Sequence, residues 1–268
     1  MTQALRLWPL LTAIHRYDKS ISTYQRGAGE TIEAPILAYL IETKNGRILY
    51  DVGCDYAKTA DPILRDRYYN ANSFAFGAPD MREEQRIPHH LSRLGLTPAD
   101  VDVIFIGHLH FDHAGGLKEL RRCGCGAEIH VQQDEVDAAR SGEDSAVFPD
   151  DLVDDAGATL QFSLQRGEYS LLPGVQAIAT PGHTAGHMSM LIELPKGPPV
   201  LLAGDAADLQ ENIDDEIAPG GLWRNQEQLA IESICKLKAL AAETGAQLWP
   251  NHDLAFYRRL SAVPFAWE

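Results

Sequence analysis

Positive charge is scarce in this chain: 23 Lys and Arg stand against 38 Asp and Glu, a formal net charge of −15. No basic stripe offsets that repulsion, so a role in binding nucleic acid through its phosphates is excluded. Cysteine is scarce too, with four in 268 residues. Cys54, Cys123, Cys125 and Cys235 form no secreted disulfide framework. Cys123-Gly124-Cys125 lacks the two-residue gap of a metal or redox pair and reads as two reduced thiols on a surface loop. Long apolar runs are missing. Residues 5–11, interrupted by Pro9, are too short for a signal sequence, and nothing approaches a membrane span. Ser/Gly-rich linkers are missing as well. With 45% hydrophobic residues, the expectation is one domain over residues 1–268, cytoplasmic, with no membrane partner. The acidic runs Glu143-Asp144, Asp150-Asp151 with Asp154-Asp155, and Asp214-Asp215-Glu216 read as solvated loops.

What is present is concentrated. Gly107-His108-Leu109-His110-Phe111-Asp112-His113-Ala114-Gly115-Gly116 places three imidazoles and a carboxylate within six residues, directly after the apolar stretch 101–106. That stretch reads as a buried strand, and Gly115-Gly116 opens a short helix through Leu120. Neutral imidazole and carboxylate suit zinc and similar divalent ions. His108 and His110, two apart, can approach one ion from the same side, while Asp112 and His113 turn toward a neighbouring position. Two metals are therefore expected.

Three further strand ends carry residues able to ligate. Residues 176–180 run into Pro181-Gly182-His183, residues 199–203 into Gly204-Asp205, and residues 246–249 into Pro250-Asn251-His252-Asp253. Any one of His183, Asp205 or His252 alone would read as structural, because turns favour Asp and exposed His is common. Their shared place after a strand argues for convergence. Residues 36–41 and 48–52 flank Lys44-Asn45-Gly46 as a hairpin. Helical stretches fall near 85–94, 133–140 and 226–243. In the last, Leu229, Ile234, Leu237 and Leu240 share a face that suits core packing.

The ordered set His108-x-His110-x-Asp112-His113, then His183, Asp205 and His252, resembles the metallo-β-lactamase superfamily. Gly-His-Leu-His-Phe-Asp-His-Ala-Gly-Gly, Thr-Pro-Gly-His-x-x-Gly-His and the later His-Asp pair are most similar to its N-acyl homoserine lactonase-like group. The resemblance implies an α/β fold, an αββα sandwich of two mixed sheets with helices outside and metals at one edge. It implies two Zn²⁺ per chain: His108, His110 and His183 on one, Asp112, His113 and His252 on the other, Asp205 bridging. A water between them would lose its proton near neutral pH and open a lactone ring. Asp112 would carry the proton to the departing oxygen. Asp51 would steady a ligand imidazole, and His187 would orient the site from behind the ligands.

One departure bears on the substrate. Members often carry a Tyr three residues after the bridging Asp, whereas here Asp208 stands there, expected to be ionised and so to accept rather than donate. Tyr24 or Tyr69 could supply the missing donor, and Phe111 lies beside the ligands. The segment 56–81, with Tyr68, Tyr69, Phe74 and Phe76, forms either a lid over an acyl chain, a dimer contact, or a loop packed on its own aromatics. The expected function is hydrolysis of N-acyl homoserine lactones, small molecules, by a monomer or homodimer. Alternatives are another cyclic or carboxylic ester, such as an aromatic or γ-lactone, and an iron-dependent oxidoreductase on the same fold.

Overall fold

Apolar residues that alternate between two faces of a strand must be covered on both faces, and here that requirement decides the layering. The computed structural model describes residues 4–70, 74, 76–261 and 267. Among them run β1 (Ala4–Asp18), β2 (Thr31–Thr43), β3 (Gly46–Tyr50), β4 (Val103–Phe105), β5 (Glu128–Gln132) and β6 (Phe162–Gln165). β7 (Tyr169–Leu172), β8 (Val175–Ala179), β9 (Met188–Ile192), β10 (Val200–Leu202) and β11 (Gln247–Trp249) follow. One sheet has the order β1-β2-β3-β4-β5-β6 and the other β11-β10-β9-β8-β7. The first is antiparallel through β3 and parallel from β3 to β6. In the second only β10 and β11 are parallel.

Tyr39, Ile41, Ile48, Tyr50 and Phe105 meet Ala177, Met190, Ile192, Leu202 and Trp249 in the core between the sheets. Their neighbours Leu40, Leu49, Ile104 and Ile129 face the opposite way, under Leu91, Leu120 and Val136. Those three come from the helices Ile87–Arg93, Leu117–Arg122 and Gln133–Ser141. On the far side Leu191 and Leu201 pack on Leu237 of the helix Glu227–Thr244. The result is the expected αββα sandwich of two mixed sheets flanked by helices. Along Glu227–Thr244, Ala230, Ser233, Ile234 and Leu237 are buried while Leu229 and Leu240 are half-buried. That face is core packing. No helix among the described residues is long and apolar enough to cross a membrane.

Several local readings change. Residues 5–11 belong to β1, whose place at the sheet edge tolerates Pro9. The helix expected after Gly115-Gly116 runs Leu117–Arg122, and a further short helix that the spacing did not suggest, Phe111–Ala114, precedes the Gly pair. Cys123 is exposed, but Cys125 is buried in the apolar core rather than on a surface loop.

Candidate metal centre

β3, β4, β8, β10 and β11 all end at one edge of the sandwich, and each hands a polar residue to the same place. The turns that do this are constrained. Gly204 has φ +57°, and a Cβ there would lie 2.7 Å from both His187 Nε2 and Tyr50 Oη, so only glycine lets the chain turn Asp205 inward. Asp51, just after β3, is held at φ +58° although it is not glycine. Its carboxylate explains the strain, since both oxygens are committed. Oδ1 accepts the Gly107 N–H at 2.8 Å and Oδ2 accepts His113 Nδ1–H at 2.7 Å.

The seven side chains His108, His110, Asp112, His113, His183, Asp205 and His252 are all buried, and the structure brings them together. Ligand atoms of His108, His110 and His183 lie within 4.8 Å of one another, as do those of Asp112, His113 and His252. His108, His113 and Asp205 form a third such group, so Asp205 stands between the other two. Asp205 Oδ2 is 3.5 Å from His183 Nε2 and 3.2 Å from His252 Nε2, while Oδ1 is 3.3 Å from His113 Nε2. Both ring nitrogens of His108, Nδ1 of His183 and Nε2 of His113 are buried without a hydrogen-bond partner. Leaving so many buried polar atoms unpaired costs roughly 1–3 kcal/mol each, and a divalent cation among them would satisfy several at once. The nitrogen and oxygen donor set fits zinc.

A second ring of contacts orients these donors. His252 Nδ1–H donates to the Pro35 carbonyl at 2.9 Å, and His110 Nε2–H donates to Asp144 Oδ2 at 2.9 Å. In each of His110, His113 and His252 one nitrogen is therefore spoken for and the other faces the cluster. Asn251 Nδ2–H donates to Asp205 Oδ1 at 2.8 Å, and the Asp205 N–H donates to His187 Nε2 at 2.9 Å. His187 thus sits behind Asp205 and holds its backbone. Glu135, on the helix Gln133–Ser141, takes the Leu109 N–H on one oxygen and the Gly186 N–H on the other, both at 2.9 Å. It ties the loop of His108 and His110 to the loop that follows His183.

Asp144 and Glu135 were invisible to spacing arguments. Asp144 lies in an acidic run read as solvated, yet it is half-buried against His110. Asp151 in the next run is buried against Lys58 Nζ. Both runs are in part structural, because each supplies the carboxylate that a buried cation or imidazole needs.

Burial pushes His108 and His183 well below the usual imidazole range, and His187 down to about 4. These are neutral rings, the form that ligates. Burial also disfavours charge on His113 and His252, but Asp205 and its neighbouring carboxylates outweigh it, raising His113 and bringing His252 up to about 10. A cation in the cluster competes with those protons, so loading releases them. Asp208 departs from expectation. Burial first, then the adjacent Asp205 carboxylate, push it up to about 8, so in the metal-free protein it holds a proton and can donate. Its carboxyl also falls within 4.8 Å of ligand atoms of Asp205 and His252, where a dication would draw that proton off.

The cleft over the cluster is lined by His15, Tyr17, Phe76, Phe111, Ala146 and Asp208, with His15 edge-on to Phe111 at 5.9 Å between centroids. Neither Tyr24 nor Tyr69, the two hydroxyls considered as donors, is part of that wall. The Tyr24 N–H donates to the Ala218 carbonyl. The Tyr69 ring is buried behind Phe111, 5.6 Å between centroids, and its hydroxyl has no hydrogen-bond partner. Segment 56–81 forms the helices Tyr56–Ala60 and Pro62–Tyr69, with Tyr69 and Phe74 packed on Phe111 and Phe148. Residues 71–73 and 75 lie outside the described ones.

Fold and cluster together define a class. Residues 32–243 match the metallo-beta-lactamase superfamily, and the chain belongs to it, in its N-acyl homoserine lactonase-like group. An N-acyl homoserine lactonase of Bacillus sp is 34% identical over 241 residues, 88% of each chain. AttM, an N-acyl homoserine lactonase of Azorhizobium caulinodans, is 30% identical over 85% of each. Among solved structures, an N-acyl homoserine lactone hydrolase with N-hexanoyl-L-homoserine at its catalytic metal centre superposes with TM-score 0.83. It is 29% identical, covering 99% of this chain and 100% of that one. An AiiA variant of B. thuringiensis with N-decanoyl-L-homoserine bound matches with the same TM-score, identity and coverage.

Proposed function

We propose that this chain hydrolyses lactones, with N-acyl homoserine lactones as the substrate class and two zinc ions as cofactor. The observation that carries the reading is the convergence of seven buried donors from four strand ends at the floor of an apolar-walled cleft. His108, His110 and His183 would hold one ion, Asp112, His113 and His252 the other, and Asp205 both. Two such ions, when bound, acidify a water and polarise an ester carbonyl. Asp112 lines the cleft, where its carboxylate can take a proton from the attacking water and deliver it to the departing ring oxygen. Asp51, His187, Asn251 and Glu135 hold the donors in place. Phe76, Phe111 and Ala146 exclude water from one side of the substrate. A groove of about 480 Å³ continues from the cleft past His110 and Ala146 to Leu222 and Trp223, room for an acyl arm.

The replacement of the group's usual Tyr by Asp208 supports a second reading, in which the preferred ester is another small lactone, aromatic or γ. A panel of homoserine lactones of graded chain length, simple γ-lactones and aromatic lactones, scored by proton release at constant pH, separates the two. Activity across the acyl series, abolished by a chelator and restored by zinc, is expected. Activity confined to aromatic rings would displace the leading substrate, and one iron per chain with no hydrolysis would overturn both.

A further inference from the structure

The cleft lining includes a side-chain hydroxyl that the reading above leaves without a role. β1 alternates, so Ala13, His15 and Tyr17 share its buried face. His15 and Tyr17 both line the cleft, their rings edge to face at 5.0 Å. His15 Nε2 is taken up by the Phe76 and Gly77 carbonyls, both at 2.9 Å. Tyr17 carries the only hydroxyl among the described side chains that line the cleft, and that hydroxyl lies 2.9 Å from Ser22 Oγ. With the Tyr17 hydroxyl as donor, Ser22 Oγ is its acceptor, and the pair is buried. Tyr17 shares the lining of the cleft with Asp112, Asp205, Asp208 and His252, which sets it over the cluster. Burial, reinforced by those carboxylates, keeps the phenol protonated far beyond neutral pH.

We propose that Tyr17 is a catalytic residue, whose phenolic O–H swings from Ser22 Oγ to the ester carbonyl oxygen as negative charge builds there. The inference rests on the ester-hydrolase reading above. A neutral serine oxygen is a weaker acceptor than an oxyanion, so the developing charge itself drives the switch. The donor is already in the cleft and needs only rotation about its C–O bond, the kind of preorganised contact that favours the transition state over the ground state. No proton leaves Tyr17 in this step; it supplies a hydrogen bond.

Tyr17→Phe removes one oxygen and keeps the ring. Zinc-loaded protein is assayed with an acyl homoserine lactone and with a p-nitrophenyl ester, alongside metal content and affinity for a tetrahedral phosphonate analogue. The expected outcome is a fall in kcat of about 10²-fold on both substrates, with KM and metal content near wild type. Phosphonate binding should weaken by a similar factor. A loss seen with the lactone and absent with the aryl ester would assign the hydroxyl to the departing oxygen and overturn the carbonyl contact. Unchanged kcat, or activity lost in step with metal, overturns it as well. Wild-type protein that cleaves the aryl ester but no lactone would sink the substrate reading while the ester arm still decides Tyr17. Cleavage of neither would overturn both.

Discussion

The two sides of the cleft are built on opposite principles. On the cluster side, directional hydrogen bonds hold the side chains from behind: Asp51 holds His113, Asp144 holds His110, Pro35 holds His252, and His187 holds the Asp205 backbone. On the aromatic side, contact is ring against ring. Phe148 meets Tyr68, Tyr69, Phe74 and Phe111 with centroids 5.4–5.6 Å apart, and the Tyr69 hydroxyl has no hydrogen-bond partner. Directional contacts fix positions to a fraction of an ångström and fail abruptly when one partner is lost. Packing contacts are individually weak and redundant, so they tolerate exchange.

If that contrast is right, metal uptake should respond steeply to one side and hardly at all to the other. Asp205→Asn should do most, because it removes the carboxylate shared by the donor groups. Turnover and zinc content, read by metal analysis of the purified variant, should fall together by about 10²-fold or more. Full activity with full metal would contradict the bridging position. Asp51→Asn comes next. The amide can still accept from one partner, but the charge that fixes the His113 tautomer is gone, so zinc affinity measured against a competing chelator should drop by about 10- to 100-fold.

Glu135→Gln tests the link between loops rather than a ligand. The amide turns an NH₂ toward either the Leu109 or the Gly186 N–H, two donors face to face. Zinc affinity should weaken by roughly 10-fold, and an unchanged value would mean that the two loops hold their spacing without it. Phe148→Leu should do least to the metal. Zinc content should stay at the wild-type ratio, while thermal unfolding reports a cost of about 1 kcal/mol for the lost ring contacts. A metal loss comparable to Asp51→Asn would erase the distinction between the two walls.

The side chains that the fold gathers into the cluster were legible in the chain because metal chemistry favours such types in a local pattern. Three imidazoles and a carboxylate in six residues have few other uses, and apolar runs ending in Gly or Pro announce where a strand stops and a side chain can turn inward. The sandwich was expected from the family resemblance those residues carry, and the reading of apolar strands alternating with helices agreed with it. What binds the two together left no such trace. Glu135 lies 26 and 51 residues from the backbone groups it holds, and Asp144 in sequence is one more carboxylate in an acidic run. Tyr17 stands on a strand whose first residues read only as a failed signal sequence. The Asp208 carboxyl, which composition makes an ordinary anion, keeps its proton in the metal-free fold because burial and Asp205 surround it. Ligand identity is a property of side-chain type and spacing and so is written along the chain. Which carboxylate is desolvated, which hydroxyl faces the cleft and which backbone N–H needs an acceptor depend on distances between residues far apart in sequence, and these exist only once the sheets have packed.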